Sequence, residues 1–315
     1  MRQITIPIFV AVLFLLFAGC QSKNKLPRGE GFLTVKGGKI WYRVVGQGDK
    51  IPILLLHGGP GYPSYYLNPL LALGNERPVI IFDQLGCGRS DRISDTTLMA
   101  INNYVDQTHD LITHLDVEEF YLYGHSWGTM LGLDYYLKYP DGVKALILDG
   151  ALMNTALFEK DQEILIEMLP DSIQTPLKLR LDNIVPDSSK LNEAMGVFYR
   201  NFYLRNKIKV VDLDSSSSQM GYNEGNYMWG PSLLLANGTL KSYDRISQLE
   251  KIKVSTLYIA AEFDVCRPVT LKYFQSLTPG SKFIMIENSG HFTMHDNIEQ
   301  EINTISTFIN DIEKK

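Results

Sequence analysis

The stretch Phe120-Tyr121-Leu122-Tyr123-Gly124-His125-Ser126-Trp127-Gly128-Thr129 decides the fold. Its first four residues are aromatic or aliphatic, the composition of a strand covered on both faces. Beyond Trp127, residues Met130, Leu131, Leu133, Tyr136 and Leu137 recur at helical spacing until Tyr139-Pro140 ends the pattern. A serine framed by Gly124 and Gly128 therefore sits where a buried strand turns into a helix. In a G-x-S-x-G turn of this kind, strain pushes the serine hydroxyl into the open. A β-carbon at either glycine would collide with the neighbouring strand or helix. Ser126 is the candidate nucleophile.

Working outward, strands and helices alternate on both sides. Phe32 to Val35 and Ile40 to Val45 flank Lys36-Gly37-Gly38-Lys39, a hairpin signal. Two continuous apolar runs suit central parallel strands: Ile51 to Leu56, ending at His57-Gly58-Gly59-Pro60-Gly61, and Val79 to Phe82, ending at Asp83-Gln84-Leu85-Gly86-Cys87-Gly88-Arg89-Ser90. A helical pattern fills 101–115, and Val143 to Leu148 reads as the sixth strand. From Met153 to Leu249 only amphipathic helical stretches occur. Strands then return at Val254 to Ala260 and Phe283 to Ile286, with helices from Val269 and over Ile298 to Ile312. This grammar predicts an α/β fold with a mostly parallel central sheet flanked by helices. The core spans 31–152 and 250–315, and a helical lid, 153–249, is inserted between strands 6 and 7.

A length of 315 residues with 45% hydrophobic content allows a large core. The formal charge is -5 and no basic block exists to displace counterions, so nucleic acid is excluded as the main partner. The N-terminus carries one positive charge, then an almost wholly apolar run from Ile4 to Gly19. That run is shorter than the roughly 20 residues that span a bilayer, so 1–19 reads as a signal peptide. Its end, Leu16-Phe17-Ala18-Gly19-Cys20, resembles the lipobox of bacterial lipoproteins. The resemblance implies lipidation of Cys20, a tether over 20–30, and a membrane-anchored lipoprotein of the bacterial cell envelope. Three cysteines are too few for a disulfide framework. Cys87 and Cys266 read as unpaired thiols, although export would permit a bridge.

A serine hydroxyl becomes a useful nucleophile when a base takes its proton and a carboxylate orients that base. In α/β-hydrolases the chain order is Ser, Asp or Glu, His. Asp264, just past the strand ending at Ala260, and His291, in Asn288-Ser289-Gly290-His291-Phe292, satisfy that order. Glu262 is the competing acid, but Asp264 lies further into the loop. Loops at the carboxyl ends of parallel strands gather at one sheet edge, which would bring these residues together. Backbone N–H groups must hold the oxyanion. Trp127, after the serine, and Gly59, in the loop after the third strand, are the candidates. Without a following lysine and Ser/Thr, the Gly-rich run is no phosphate loop. His291 and His295 lack a third ligand at metal spacing, so no metal is expected, and no cofactor is implied.

With these residues placed, the chain resembles the proline iminopeptidase family of serine hydrolases. His57-Gly58-Gly59-Pro60-Gly61, the Asp83 to Ser90 motif, Gly124-His125-Ser126-Trp127-Gly128, Met228-Trp229-Gly230-Pro231-Ser232 and Gly290-His291 match its pattern in order, over roughly Gly31 to Ile312. The resemblance implies a Ser126, Asp264, His291 triad that releases an N-terminal residue, often proline, from short peptides, amides or arylamides. It also implies glutamates that hold the substrate ammonium, three residues after the glycine of the lid Gly-Pro and directly after the triad aspartate. Here those positions are Leu233 and Val265. Glu224 and Trp229 are then the candidate substrate-binding residues, with Glu262 the other available carboxylate. The alternative is a carboxylesterase or amidase acting on an uncharged small substrate. A non-catalytic binding protein on this scaffold would not need an intact elbow, acid and histidine.

Overall fold

The computed structural model describes residues 26–182, 184, 187–206 and 210–314. The signal segment and Cys20 lie outside them. Strands β1 (Gly29–Val35) and β2 (Gly38–Val45) form the hairpin. Val35 already pairs with Gly38, so the turn is Lys36-Gly37 alone, tighter than the four-residue loop expected. Gly37 makes this possible by adopting φ 100°. The remaining strands are β3 (Ile53–Leu56), β4 (Val79–Phe82), β5 (Phe120–His125), β6 (Val143–Asp149), β7 (Ser255–Ala261) and β8 (Lys282–Ile286). They make one eight-stranded sheet in the order β1-β2-β4-β3-β5-β6-β7-β8. Only the β1–β2 and β2–β4 pairings are antiparallel. Every residue of β3, β4 and β5 is buried, because helices cover both faces of the sheet.

Those helices include α1 (Ile101–His114) before β5 and α2 (Trp127–Lys138) directly after Ser126. Between β6 and β7 come α3 (Thr155–Glu167), α4 (Asp171–Leu181), α5 (Ser188–Phe202), α6 (Val211–Ser218) and α7 (Tyr222–Met228). Then α8 (Pro268–Leu277) precedes β8, and α9 (Thr293–Asp296) and α10 (Ile298–Glu313) close the chain. No helix of the described residues is long and apolar enough to cross a membrane.

Short polar contacts tie the insertion to the body. Asn154 and Asp244, near its two ends, form an isolated antiparallel bridge. The Arg92 guanidinium donates to the carbonyls of Gly86, Gln219 and Met220. Gly221 N–H donates to the Gly61 carbonyl at 2.7 Å. The Ser216 hydroxyl donates to the Pro63 carbonyl and accepts from Tyr66 N–H, pinning α6 to the 3-10 helix Ser64–Asn75. The insertion therefore sits over the loops that leave the carboxyl ends of β3 and β4, the sheet edge where this class of fold builds its sites.

Candidate active site

The Ser126 turn is strained. Its backbone holds φ 55° and ψ -123°, a region non-glycine residues rarely adopt. A β-carbon on Gly124 would lie 2.3 Å from the Gly128 carbonyl oxygen, and one on Gly128 would lie 2.3 Å from the Leu56 carbonyl oxygen. Strand, turn and helix thus touch backbone to backbone, as the two glycines predicted. The turn is fixed further by Ser126 N–H donating to the Asp149 carbonyl at 2.9 Å. Trp127 opens α2, so its N–H has no partner within that helix.

Asp264 and His291, distant in sequence, meet in the structure. His291 Nδ1 lies 2.7 Å from Asp264 Oδ1, and both side chains are buried. Asp264 also accepts from the N–H groups of Cys266 at 2.9 Å and Ala261 at 3.3 Å. A carboxylate only accepts, so it assigns the neutral imidazole proton to Nδ1 and leaves the Nε2 lone pair free. The His291 loop is held by the insertion itself: His291 N–H and Phe292 N–H donate to the Phe202 and Tyr203 carbonyls, at the end of α5.

The loop after β3 is held from below. Gln84 N–H donates to His57 Nε2 at 2.9 Å, so His57 carries its proton on Nδ1 and donates to the Gly58 carbonyl. Burial holds the His57 pKa below the ordinary imidazole range. The Gln84 side chain bridges this loop to the elbow, donating to the His57 carbonyl and accepting from the Trp127 indole N–H. Asp83 is capped by Ser64 and by the Arg89 guanidinium at 2.7 Å. These contacts explain the Asp83-Gln84 motif as scaffolding for the glycine loop. Gly59 sits in that loop at φ 119°, with no room for a β-carbon beside Gly61 and Tyr62.

Ser126, Trp127, Gly59 and His291 line one cavity of about 340 Å³. Its other walls include Leu152, Phe158, Tyr199, Tyr203, Trp229, Leu233, Val265 and Phe292. Trp229 meets Phe158 edge to face at 5.2 Å, with its indole N–H donating to the Ser232 carbonyl. Among the described residues no Asp, Glu, Lys or Arg lines this cavity.

Glu224 corrects the expectation that it binds substrate. Tyr222, Gly225 and Trp229 of α7 and its cap point into the cavity, while Glu224, two residues after Tyr222, falls on the opposite side. Its buried carboxyl instead abuts Gly86 and Gly221, where burial raises its pKa. Glu262 is also turned elsewhere, accepting from Asn288 N–H.

Behind Asp264 lies an acid pair that sequence reading missed. Asp149 accepts from the Tyr123 and Thr293 hydroxyls, both at 2.8 Å, and Glu301 Oε1 lies 3.0 Å from the same Tyr123 oxygen. Both carboxyls are fully buried. Burial, then the Asp264 charge, pushes the Asp149 pKa up to about 7. Burial and Asp149 push Glu301 up as well. One hydroxyl proton cannot serve both acids, so the pair carries a proton of its own at neutral pH. The two acids sit on β6 and α10, and no spacing in the chain announces their meeting.

Asp264, Cys266 and His291 place ligand atoms within 4.8 Å of one another, the only such metal-type cluster among the described residues. The histidine and aspartate already satisfy each other, and burial pushes the Cys266 thiol pKa well up, away from the thiolate a metal requires. This trio is a poor fit to a resident metal. Cys87 and Cys266 are both buried and free.

Comparison with known proteins agrees with this architecture. Residues 51–298 match the family model described as alpha/beta hydrolase fold. The proline iminopeptidase of Heyndrickxia coagulans is 37% identical over 287 residues, covering 90% of this chain and 99% of that one. That of Clostridium botulinum is 31% identical over 290 residues, covering 89% and 98%. The crystal structure of the Mycobacterium smegmatis proline iminopeptidase superposes with a TM-score of 0.84 at 25% identity, covering 90% of this chain and 98% of that one. The chain is a hydrolase and belongs to the proline iminopeptidase family of the α/β-hydrolase fold.

Proposed function

We propose that the protein is a serine hydrolase that releases an N-terminal residue, preferably proline, from short peptides or amides through an acyl-enzyme. The observation that carries this reading is the 2.7 Å Asp264–His291 contact on the same cavity as the strained Ser126 turn. Ser126 Oγ attacks the carbonyl carbon as His291 Nε2 takes its proton. Asp264 orients the ring and stabilises the imidazolium. The Gly59 and Trp127 N–H groups hold the oxyanion. The C–N bond then breaks, and His291 returns its proton to the leaving amine. Water, deprotonated by His291, hydrolyses the ester and regenerates Ser126. Trp229 forms part of the wall against the acyl group. Ser126→Ala should lower kcat by about 10⁶-fold and Asp264→Asn by about 10⁴-fold with the fold intact. Wild-type-like turnover by Ser126→Ala would refute the mechanism.

A second reading, an esterase or amidase on an uncharged acyl group, is favoured by the cavity lining. An ammonium beside Leu233 and Val265 would lose hydration without a counter-charge. Hydrolysis of a proline arylamide, its N-acetylated form and a short-chain aryl ester separates the two. Preference for the free amine supports the aminopeptidase; cleavage of the ester or blocked amide alone supports the second reading.

On the same footing, residues 31–152 and 250–315 are the catalytic body and 153–249 its lid. The mature chain begins at a lipidated Cys20 and is anchored to the cell envelope. Metabolic labelling with a radioactive fatty acid should mark the wild type and not Cys20→Ser, and an unlabelled wild type would exclude the anchor.

A further inference from the structure

His125 directly precedes the nucleophile, yet its ring belongs to a different chain of contacts. Its Nε2 lies 2.8 Å from the His291 carbonyl oxygen. A carbonyl only accepts, so Nε2 carries the proton and Nδ1 must accept. The partner of Nδ1 is the Tyr66 hydroxyl at 2.8 Å, which must therefore donate. That hydroxyl in turn accepts from Gly58 N–H at 2.6 Å. Every hydrogen in the chain is thus assigned: Gly58 N–H to the Tyr66 oxygen, Tyr66 O–H to His125 Nδ1, His125 Nε2–H to the His291 carbonyl.

The two ends of this chain are the two halves of the site. Gly58 is the neighbour of Gly59 in the glycine loop, and the His291 carbonyl belongs to the backbone that carries the base. Both connecting rings are buried, so no solvent competes for the hydrogen bonds. The Tyr66 ring packs edge-on against His125 at 5.3 Å, and Phe292 covers both rings. Burial, and then the neighbouring His291, hold the His125 pKa well below the ordinary imidazole range. A protonated His125 would also confront the Tyr66 hydroxyl with a second donor and leave its hydrogen without an acceptor. Although Tyr66 lines the cavity, its hydroxyl hydrogen is committed to His125 and is not available to an oxyanion.

We infer that Tyr66 and His125 are positioning residues that lock the oxyanion loop and the backbone of His291 into one hydrogen-bonded unit. The inference rests on the serine-hydrolase reading, in which oxyanion and imidazolium form together at opposite ends of this unit. Losing a link would let the two ends relax independently. Misplacement by an ångström costs about 100-fold in rate while leaving ground-state binding largely intact.

The test uses Tyr66→Phe, His125→Phe and His125→Gln, the last because an amide keeps one donor and one acceptor. Steady-state kinetics, on whichever of the proline arylamide and the aryl ester the wild type cleaves faster, are combined with inhibition by phenylboronic acid, which adds to a serine as a tetrahedral anion, and by benzyl alcohol, which does not. Both Phe variants should lose about 10- to 100-fold in kcat with KM within about threefold. Phenylboronic acid affinity should weaken in parallel while benzyl alcohol affinity holds, and His125→Gln should recover most of the loss. Folded Phe variants with kcat within about twofold of wild type, or a rise in KM with unchanged boronate affinity, would overturn the inference. If His125→Phe fails to fold, Tyr66→Phe, which deletes one oxygen atom, decides alone. Full activity of Ser126→Ala would instead bring down the serine mechanism, so the two failures are distinguishable.

Discussion

Leu233 of the insertion and Val265 of the loop that carries Asp264 line the same cavity. They occupy the positions from which the family resemblance implies carboxylates reaching a substrate ammonium. Leu233 is 46% exposed, whereas Val265 is 1% exposed, so only Leu233 can take a charge without burying it. Leu233→Glu should raise the kcat/KM ratio of a proline arylamide over its N-acetylated form by about 10-fold or more, the scale of one charge-assisted hydrogen bond. An unchanged ratio would show that the cavity does not place an amine near Leu233.

Gly128→Ala tests the elbow as a backbone contact. Its new methyl group would stand 2.3 Å from the Leu56 carbonyl oxygen, where neither α2 nor β3 can yield cheaply. A loss of about 1–3 kcal/mol or more is expected by chemical denaturation, on the scale of overpacking. A variant as stable as wild type would mean the strand and helix are not held at this distance.

Ser126→Gly should separate activity from stability. Glycine relaxes the φ 55° turn, so the variant should gain about 1 kcal/mol. It should be inactive. A drop in stability would show that the turn stores no strain.

Glu224→Gln should leave KM for a free-amine substrate within about twofold, since neither side chain reaches the cavity wall. A KM rise of tenfold would restore Glu224 as an amine anchor.

The Asp149–Glu301 pair makes stability depend on pH in a defined direction. Asp149 ionises near 3.8 when unfolded and near 7 when folded. Between those values the folded state holds the extra proton, so stability falls as pH rises from about 4 to 7. Buried His57 and His125 act oppositely below about 6.5, because the unfolded chain takes protons they refuse. Glu301→Gln isolates the acid pair by offering Asp149 an amide donor in place of a second acid. The difference in unfolding free energy between wild type and variant should shrink as pH rises from about 4 through 7, and go on shrinking until Glu301 also ionises in the folded state. A pH-independent difference would reject the shared proton.

The strands were readable because they are apolar runs between turn residues, and the elbow because its glycines and serine are adjacent in the chain. Asp264 and His291 were readable through their order and their places after strands. The place of Glu224 was not readable from its nearness to Trp229-Gly230 alone, because the side of α7 that faces the cavity is fixed only by the packing of Tyr222, Gly225 and Trp229. Tyr66 gave no signal at all, since it sits in a 3-10 helix among other aromatics and acts through a hydroxyl. Asp149 and Glu301 were invisible for another reason: their pairing exists only once β6 and α10 have packed.

The carbonyls of Phe202 and Tyr203 hold the backbone of His291 and Phe292. The end of α5 is therefore part of the frame that positions His291, the base of the proposed mechanism. Swinging it outward would break both backbone hydrogen bonds to the His291 loop. On the proposed mechanism, an outward swing of α5 that admitted substrate would also disturb the His291 backbone, so substrate entry is expected along another wall of the cavity. In engineering terms, α5 is the segment of the insertion least open to exchange, and a graft that resets selectivity should spare its end.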